Sequence, residues 1–523
     1  MLHEAIGQWG KILGADAVKS DDVTVDRYAR TTAPRGTAPA AVLWPQRTEQ
    51  VQQIVRIAVR FRVPLYPISR GRNWGYGDAC APQDGQVIID LRRMNRIVEL
   101  NRELAYAVIE PGVSQQQLHD HLESSGNDLW MDATGAGPDA SVVGNTLERG
   151  FGHTPCGDHF ANTCGMRIVL ADASVLDTGF GHVPGAHATY CYPYGIGPGL
   201  DGLFCQSNLG IVTRVGVWLN RRPQAMRAVF ASTSSDDDLV DLIDRLRELR
   251  LAGLLRSAVH VANDLRLLSS RVDAATSRPL SPGDRQRLRK VHGVGAWNVS
   301  SAIYGTRTTV AAAGLQVKKT LRSYRVVSLN DAKLRRAKRA GALLGLFGMG
   351  ANLRALISVV EPAFEMLKGR PVDAFVRDIL PHATCPSESG SLDPLDYHTG
   401  LIWVSPVAPA QGDHARRLIQ LMEPIYNRFG FDLPVTFTLV TERALSAVTN
   451  ISFNRRDCEQ TERAAACYDE LMRTLMDAGY PPYRTGPAGF KRIRTDSPFW
   501  HAAQRIKHAL DPHGIISPGR YLD

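Results

Sequence analysis

The pattern of apolar and polar positions changes character along the chain. In the first third, short apolar runs alternate with amphipathic stretches. Residues 41–44 read as a strand ended by Pro45, and Thr48 then reads as the cap of a helix. That helix carries Val51, Ile54, Val55, Ala58 and Val59 at the three-and-four spacing of one buried face. Further strands are predicted over residues 63–68, 87–91 and 105–109, a hairpin over 166–170 and 174–176, and a β-branched strand over 211–219. From residue 226 helical stretches dominate, as in 238–251 and 334–347, and strands are fewer, at 302–304, 401–404 and 435–440. A last helix over Pro498–Leu510 starts on a proline, which the first turn tolerates. This predicts an α+β chain in which a first unit is covered by a second α+β unit.

A chain of 523 residues exceeds one simple core, and 44% hydrophobic with 22% charged residues is ordinary globular composition. A formal charge of +9 is mild at this length, so a nucleic-acid module is not expected. The densest basic run, Lys333, Arg335, Arg336, Lys338 and Arg339, abuts an apolar run over 342–347. It reads as a solvated helix face followed by a core segment in preference to a membrane-surface patch. The eight cysteines, Cys80, Cys156, Cys164, Cys191, Cys205, Cys385, Cys458 and Cys467, form no C-x-x-C pair, so neither a metal site nor a dithiol motif is expected. No apolar run approaches the ~18 residues of a membrane span, and the N-terminus lacks a signal pattern, so the expected location is cytoplasmic.

Glycines raise the first chemical question. Gly71, Gly75 and Gly77 follow the strand ending at residue 68, in a loop that also carries Arg70, Arg72 and Asn73. A phosphate cradle needs backbone N–H groups unobstructed by side chains, and this loop offers them. It fits neither the Rossmann fingerprint nor the NTPase loop, and as a lone feature it reads equally well as a structural turn. Two further segments change the balance: Ser141 to Thr146 with Gly150 and Gly152, and Asn208 to Thr213. Three backbone-exposing segments in one unit suit a long ligand such as a dinucleotide.

Several ordered segments resemble the flavoprotein family of vanillyl-alcohol oxidase and p-cresol methylhydroxylase. They are residues 67–77, 108–113, 143–150, 154–159, 194–204, 483–485 and 511–516, with a looser match over 226–390. The resemblance implies a two-part FAD-binding domain, 1–225 with a C-terminal return at 483–523, and an inserted α+β cap domain at 226–482. Implied cofactor contacts are Ser69, Arg70, Gly71, Arg72, Asn73, Gly75, Gly144, Asn145, Gly210 and Val212. It also implies a phenolic substrate, oxygen or a cytochrome as electron acceptor, and a homodimer or larger assembly.

A buried phenolate needs donors and a positive charge, because an isolated buried anion is very costly. In this family two tyrosines and an arginine meet that need, and the matching residues are Tyr76, Tyr483 and Arg484. Asp158 matches a family carboxylate beside the benzylic carbon, where it balances charge and acts as base toward water. Hydride then leaves the benzylic carbon for the flavin, and a quinone methide forms.

Three departures stand out. Leu401 occupies the place of the histidine that tethers FAD in relatives, and 31–36 lacks the assisting histidine. Non-covalent FAD is therefore preferred, with His398, Tyr397 and, less so, Cys156 as remaining tether candidates. Leu445-Ser446-Ala447 lacks the histidine pair that relatives place there. Two competing readings are an FAD enzyme acting on a 2-hydroxy acid or another alcohol, and a non-catalytic protein that keeps the flavin fold.

Overall fold

The computed structural model describes residues 1–269, 279–345, 349–380 and 392–522; Cys385 and positions 346–347 of the basic helix lie outside them. Four strands, in the order Val18–Lys19, Ala41–Leu43, Val87–Asp90 and Leu65–Ile68, form the first sheet, and its last three strands run parallel. Those three read as continuous apolar runs because both faces are covered. Helix Thr48–Phe61 lays Val51, Ile54, Val55 and Ala58 on one side, with Ala5 and Trp9 of helix Leu2–Leu13. Thr48 is the first helical residue here and not the cap, which is Arg47; its hydroxyl lies 3.2 Å from that of Thr213.

A second, antiparallel sheet has the order Ile97–Asn101, Tyr106–Ile109, Ile211–Trp218, Thr163–Val169 and Val175–Asp177. The C-terminal tail returns to the first sheet. Leu65 N–H donates to Ile515 O at 2.8 Å, and Ser517 N–H donates to Leu65 O at 2.8 Å. Lys507, with its side chain 1% exposed, fastens the tail. Its ammonium donates to Asp511 (2.6 Å), Asn208 O (2.8 Å) and Ile516 O (2.9 Å).

The region after residue 225 is richer in strands than the sequence reading allows. Eight strands form one sheet, with neighbours in the order Arg325–Leu329, Ala225–Ser232, Trp297–Gly305, Val259–Asn263, Val435–Leu439, Ala444–Asn454 and Thr399–Val404; Val407–Pro409 pairs with Ala444–Asn454. Alternate residues such as Val229, Val261, Val299 and Phe437 pack into one core with helices Leu239–Leu251, Arg307–Thr320, Gly412–Arg428 and Cys458–Asp477. The intervening residues, including Ser232, His260, Ser300 and Thr438, face a cavity. These strands evade an apolar-run reading because one face is polar.

Helix Asp331–Gly345 turns Lys333, Arg335, Arg336, Lys338 and Arg339 to solvent, as expected of a solvated face. The described start of the following run is not core: Leu343 is 61% exposed and Leu344 is also exposed. Among the described residues no helix is long and apolar enough to cross a membrane, and no cluster of three or more metal-ligating side chains is present.

Candidate active site

A cavity of about 1230 Å³ runs between the first two sheets and the polar face of the eight-stranded sheet. The loop after strand Leu65–Ile68 forms one wall through Ser69, Arg70, Gly71, Arg72 and Asn73; Gly144, Asn145, Gly210 and Val212 form another. Gly144 sits where a Cβ would stand 3.2 Å from the Ser69 side chain, so its missing side chain eases the close approach of the two segments. Asn208 Oδ1 and Trp74 Nε1 belong to lining residues and are buried without a hydrogen-bond partner. Small residues, loop backbone and unpaired polar atoms along one extended wall fit a dinucleotide.

Not every predicted contact reaches this wall. Gly75 does not line the cavity; it has φ +74° and packs under Trp403, where a Cβ would come within 2.2 Å. Its role is to let the loop turn against that indole. Arg70 and Arg72 line the cavity, but their charge is engaged: both pair with Asp139, and Arg72 also pairs with Asp393. They brace the loop.

Tyr76, Tyr483 and Arg484 come together on the cavity wall. The Arg484 guanidinium lies 4.2 Å from the centre of the Tyr76 ring. The two tyrosine hydroxyls are within hydrogen-bonding reach of each other, and Tyr76 Oη is 3.1 Å from Ser405 Oγ. Tyr483 is set by backbone: its N–H donates to Ser405 O at 3.1 Å, and Gln206 Nε2 donates to its carbonyl at 2.9 Å. Burial holds the Tyr76 hydroxyl well above the usual phenol range and raises that of Tyr483. Both are therefore protonated donors at neutral pH.

A charge network not foreseen from sequence lies behind them. Glu148 pairs with Arg520 and lies 3.2 Å from Arg484 Nε, and it accepts from Tyr521 Oη at 2.5 Å. Arg484 also donates to Asn73 Oδ1. Burial pushes the Glu148 carboxyl up, but the guanidinium groups of Arg520 and Arg484 outweigh it and hold the acid below its ordinary value. Two guanidinium groups against one carboxylate leave a single positive charge beside the tyrosines. No spacing signal reveals this, since Glu148 and Arg520 are 372 residues apart.

Asp158 is placed elsewhere. Its carboxylate accepts from Ala161 N–H at 3.1 Å at the start of a helical turn, and it does not line the cavity. The residue follows Gly157 in a tight turn, where local capping claims the side chain. The buried carboxylate of this region is Asp132, which accepts from the N–H groups of His153 and Thr154 at 2.9 Å each. Asp132 Oδ2 lies 3.4 Å from His159 Nε2.

His153 and His260 pack with ring centroids 4.1 Å apart and planes tilted by 32°, and both line the cavity. His153 Nδ1 and His260 Nε2 are buried without partners. Burial lowers His260 to about 4 and takes His153 well below its ordinary value, so both are neutral. A histidine pair is thus present, contributed by other elements than the Leu445-Ser446-Ala447 strand.

The tether candidates stand off the cavity. His398 is exposed, Tyr397 packs with Trp74, Val376 and Leu401, and neither lines the wall. Leu401 is fully buried. Cys156 is also off the wall, and burial pushes its thiol up to about 12, leaving it protonated.

Comparison with known proteins points to the same cofactor class. Residues 39–179 match an FAD binding domain. 1'-Carboxy-chondrochloren decarboxylase of Chondromyces crocatus is 34% identical, across 99% of this chain and 97% of that protein. The 4-cresol dehydrogenase [hydroxylating] flavoprotein subunit of Pseudomonas putida is 30% identical, across 99% and 95%. Among solved structures, p-cresol methylhydroxylase with substrate bound superposes with TM-score 0.87 at 28% identity, covering 99% and 96% of the two chains. The isoeugenol complex of 4-ethylphenol oxidase from Gulosibacter chungangensis gives TM-score 0.88 at 29% identity, with 99% and 96% covered.

Proposed function

This chain belongs to the p-cresol methylhydroxylase and vanillyl-alcohol oxidase family of FAD-dependent oxidoreductases, and on that premise we propose that it oxidises a para-substituted phenol at its benzylic carbon. The observation that carries this reading is the convergence of Tyr76, Tyr483 and Arg484 on one wall, with one uncompensated positive charge. The substrate oxygen sits against the two tyrosine hydroxyls, which donate to it. Ser405 donates in turn to Tyr76. The Arg484 charge favours the phenolate, which pushes electron density toward the para carbon and weakens the benzylic C–H bond. FAD, when bound along the wall of Ser69–Asn73, Gly144, Asn145, Gly210 and Val212, supplies the hydride acceptor. Water then adds to the quinone methide, or a proton is lost from it.

In this reading residues 1–225 and 483–523 hold FAD, 226–482 cap it, and the cofactor is not tethered. One relative is named as a flavoprotein subunit and one neighbour as an oxidase, so this reading keeps both a partner cytochrome and oxygen as electron acceptors. Replacing Arg484 with Met and Tyr76 with Phe tests the site. Each is expected to lower kcat/KM for 4-ethylphenol by about a hundredfold with the flavin still bound; unchanged turnover in both contradicts it.

A second reading has an observation of its own. The unpaired His153 and His260 nitrogens and the decarboxylase relative suit a phenol whose side chain carries a carboxylate that leaves as carbon dioxide. Carbon dioxide release from a 4-hydroxyphenyl carboxylic acid distinguishes the two.

A further inference from the structure

Beyond the loop wall and the tyrosine–arginine cluster, the cavity continues across the eight-stranded sheet. Strand pairing sets Thr438, His260, Ser300, Phe230 and Val327 side by side across five neighbouring strands, and all five line the cavity. Two residues along each strand, Thr436, Ala262, Asn298, Ser232 and Arg325 form a second lining row. Neighbouring strands lie about 4.8 Å apart, so each row spans roughly 19 Å. The facing wall is aliphatic: Leu334 and Ala337 from helix Asp331–Gly345, and Leu353, Ile357 and Val360 from helix Ala351–Met366.

The inner end of the row adjoins the tyrosine–arginine site. His260 packs against His153, and Phe151, two residues before His153, packs its ring 5.5 Å from that of Tyr483. Two residues span at most about 7 Å, close to the length of a phenol ring with its first side-chain carbon. The outer end reaches Arg325, which is exposed on the edge strand of the sheet. The arm is therefore a groove with an entrance, one wall aliphatic and the other carrying hydroxyls. Among the described residues the Ser300 and Ser232 side chains make no hydrogen bond to protein.

We propose that the substrate is an elongated para-substituted phenol, whose mainly aliphatic tail, bearing a hydrogen-bonding group such as an amide or ester, lies along this sheet face toward Arg325. The proposal rests on the phenol reading and adds the class of substituent.

The test uses the FAD-loaded enzyme with a series from 4-ethylphenol to 4-dodecylphenol, and with two obstructing variants on opposite walls, Ser300→Trp and Ala337→Trp. We expect kcat/KM to rise roughly fourfold per added methylene until the chain reaches the entrance. Either variant that retains the flavin spectrum is expected to lose that gain while keeping 4-ethylphenol turnover within twofold of the parent. A flat or falling series, or long-chain turnover untouched by both tryptophans, overturns the proposal while leaving the phenol reading intact. Failure of every phenol, 4-ethylphenol included, overturns both.

Discussion

The guanidinium of Arg484 stands 4.2 Å from the centre of the Tyr76 ring and hands one N–H to Asn73, so a single side chain ties the Ser69–Asn73 loop to Tyr76. A planar cation does this where an ammonium does not, because it stacks through its face and donates through its edge. Arg484→Lys keeps the charge and loses the stack. We expect kcat/KM for 4-ethylphenol to fall about ten- to a hundredfold, the worth of a charged hydrogen bond. Steady-state kinetics with flavin content held equal checks it.

Glu148 sets how much positive charge Tyr76 and Tyr483 face, and in the proposed function how much a bound phenol meets. Glu148→Gln removes the only carboxylate between Arg484 and Arg520 among the described contacts. Breaking a buried ion network by removing one partner costs about 3–5 kcal/mol, so the variant melts earlier. It is also expected to bind 4-nitrophenol as the yellow phenolate at lower pH than the parent does. Thermal melting and a spectrophotometric pH titration of the bound phenol measure the two effects.

Acid sensitivity follows from His260. Its folded-state value of about 4 lies below the ordinary histidine value of 6.5, so the unfolded chain takes up the proton first. The neutral side chain's contribution is intact above about pH 6.5 and is lost as pH falls toward 4, by about 3 kcal/mol in all. Urea unfolding at pH 7 and pH 4.5 is expected to show a smaller loss in His260→Gln than in the parent. Equal losses would show that this side chain is not the sensor.

Lys507 controls the tail that carries Ser517 and Arg520 to the cavity. Lys507→Met strands the fully buried Asp511 carboxylate, which still accepts from the N–H groups of Ile515 and Ile516. We expect a stability loss of about 3–5 kcal/mol and weaker FAD retention. Gel filtration followed by the ratio of flavin to protein absorbance reads it.

The apolar strands of the first sheet, such as Val87–Asp90, were legible because both faces are buried and the residue types announce it. Strands such as Ala225–Ser232 and Val259–Asn263 were not, because Ser232 and His260 turn to a polar cavity and dilute the run. The convergence of Tyr76, Tyr483 and Arg484 was legible through ordered resemblance alone; no local pattern joins Tyr76 to Tyr483. Glu148, Arg520 and the His153–His260 pair stayed hidden because each contact closes across distant sequence. Asp158 was drawn into the site by resemblance, whereas its carboxylate is held by the turn it starts.

The proposed seat for a phenolate is tested most directly by anaerobic mixing of the FAD-loaded enzyme with 4-ethylphenol and, separately, with its methyl ether. The ether has the same benzylic carbon but cannot ionise. We expect flavin absorbance to bleach rapidly with the phenol and to persist with the ether; bleaching at equal rates, or none with either, contradicts the assignment of Tyr76, Tyr483 and Arg484.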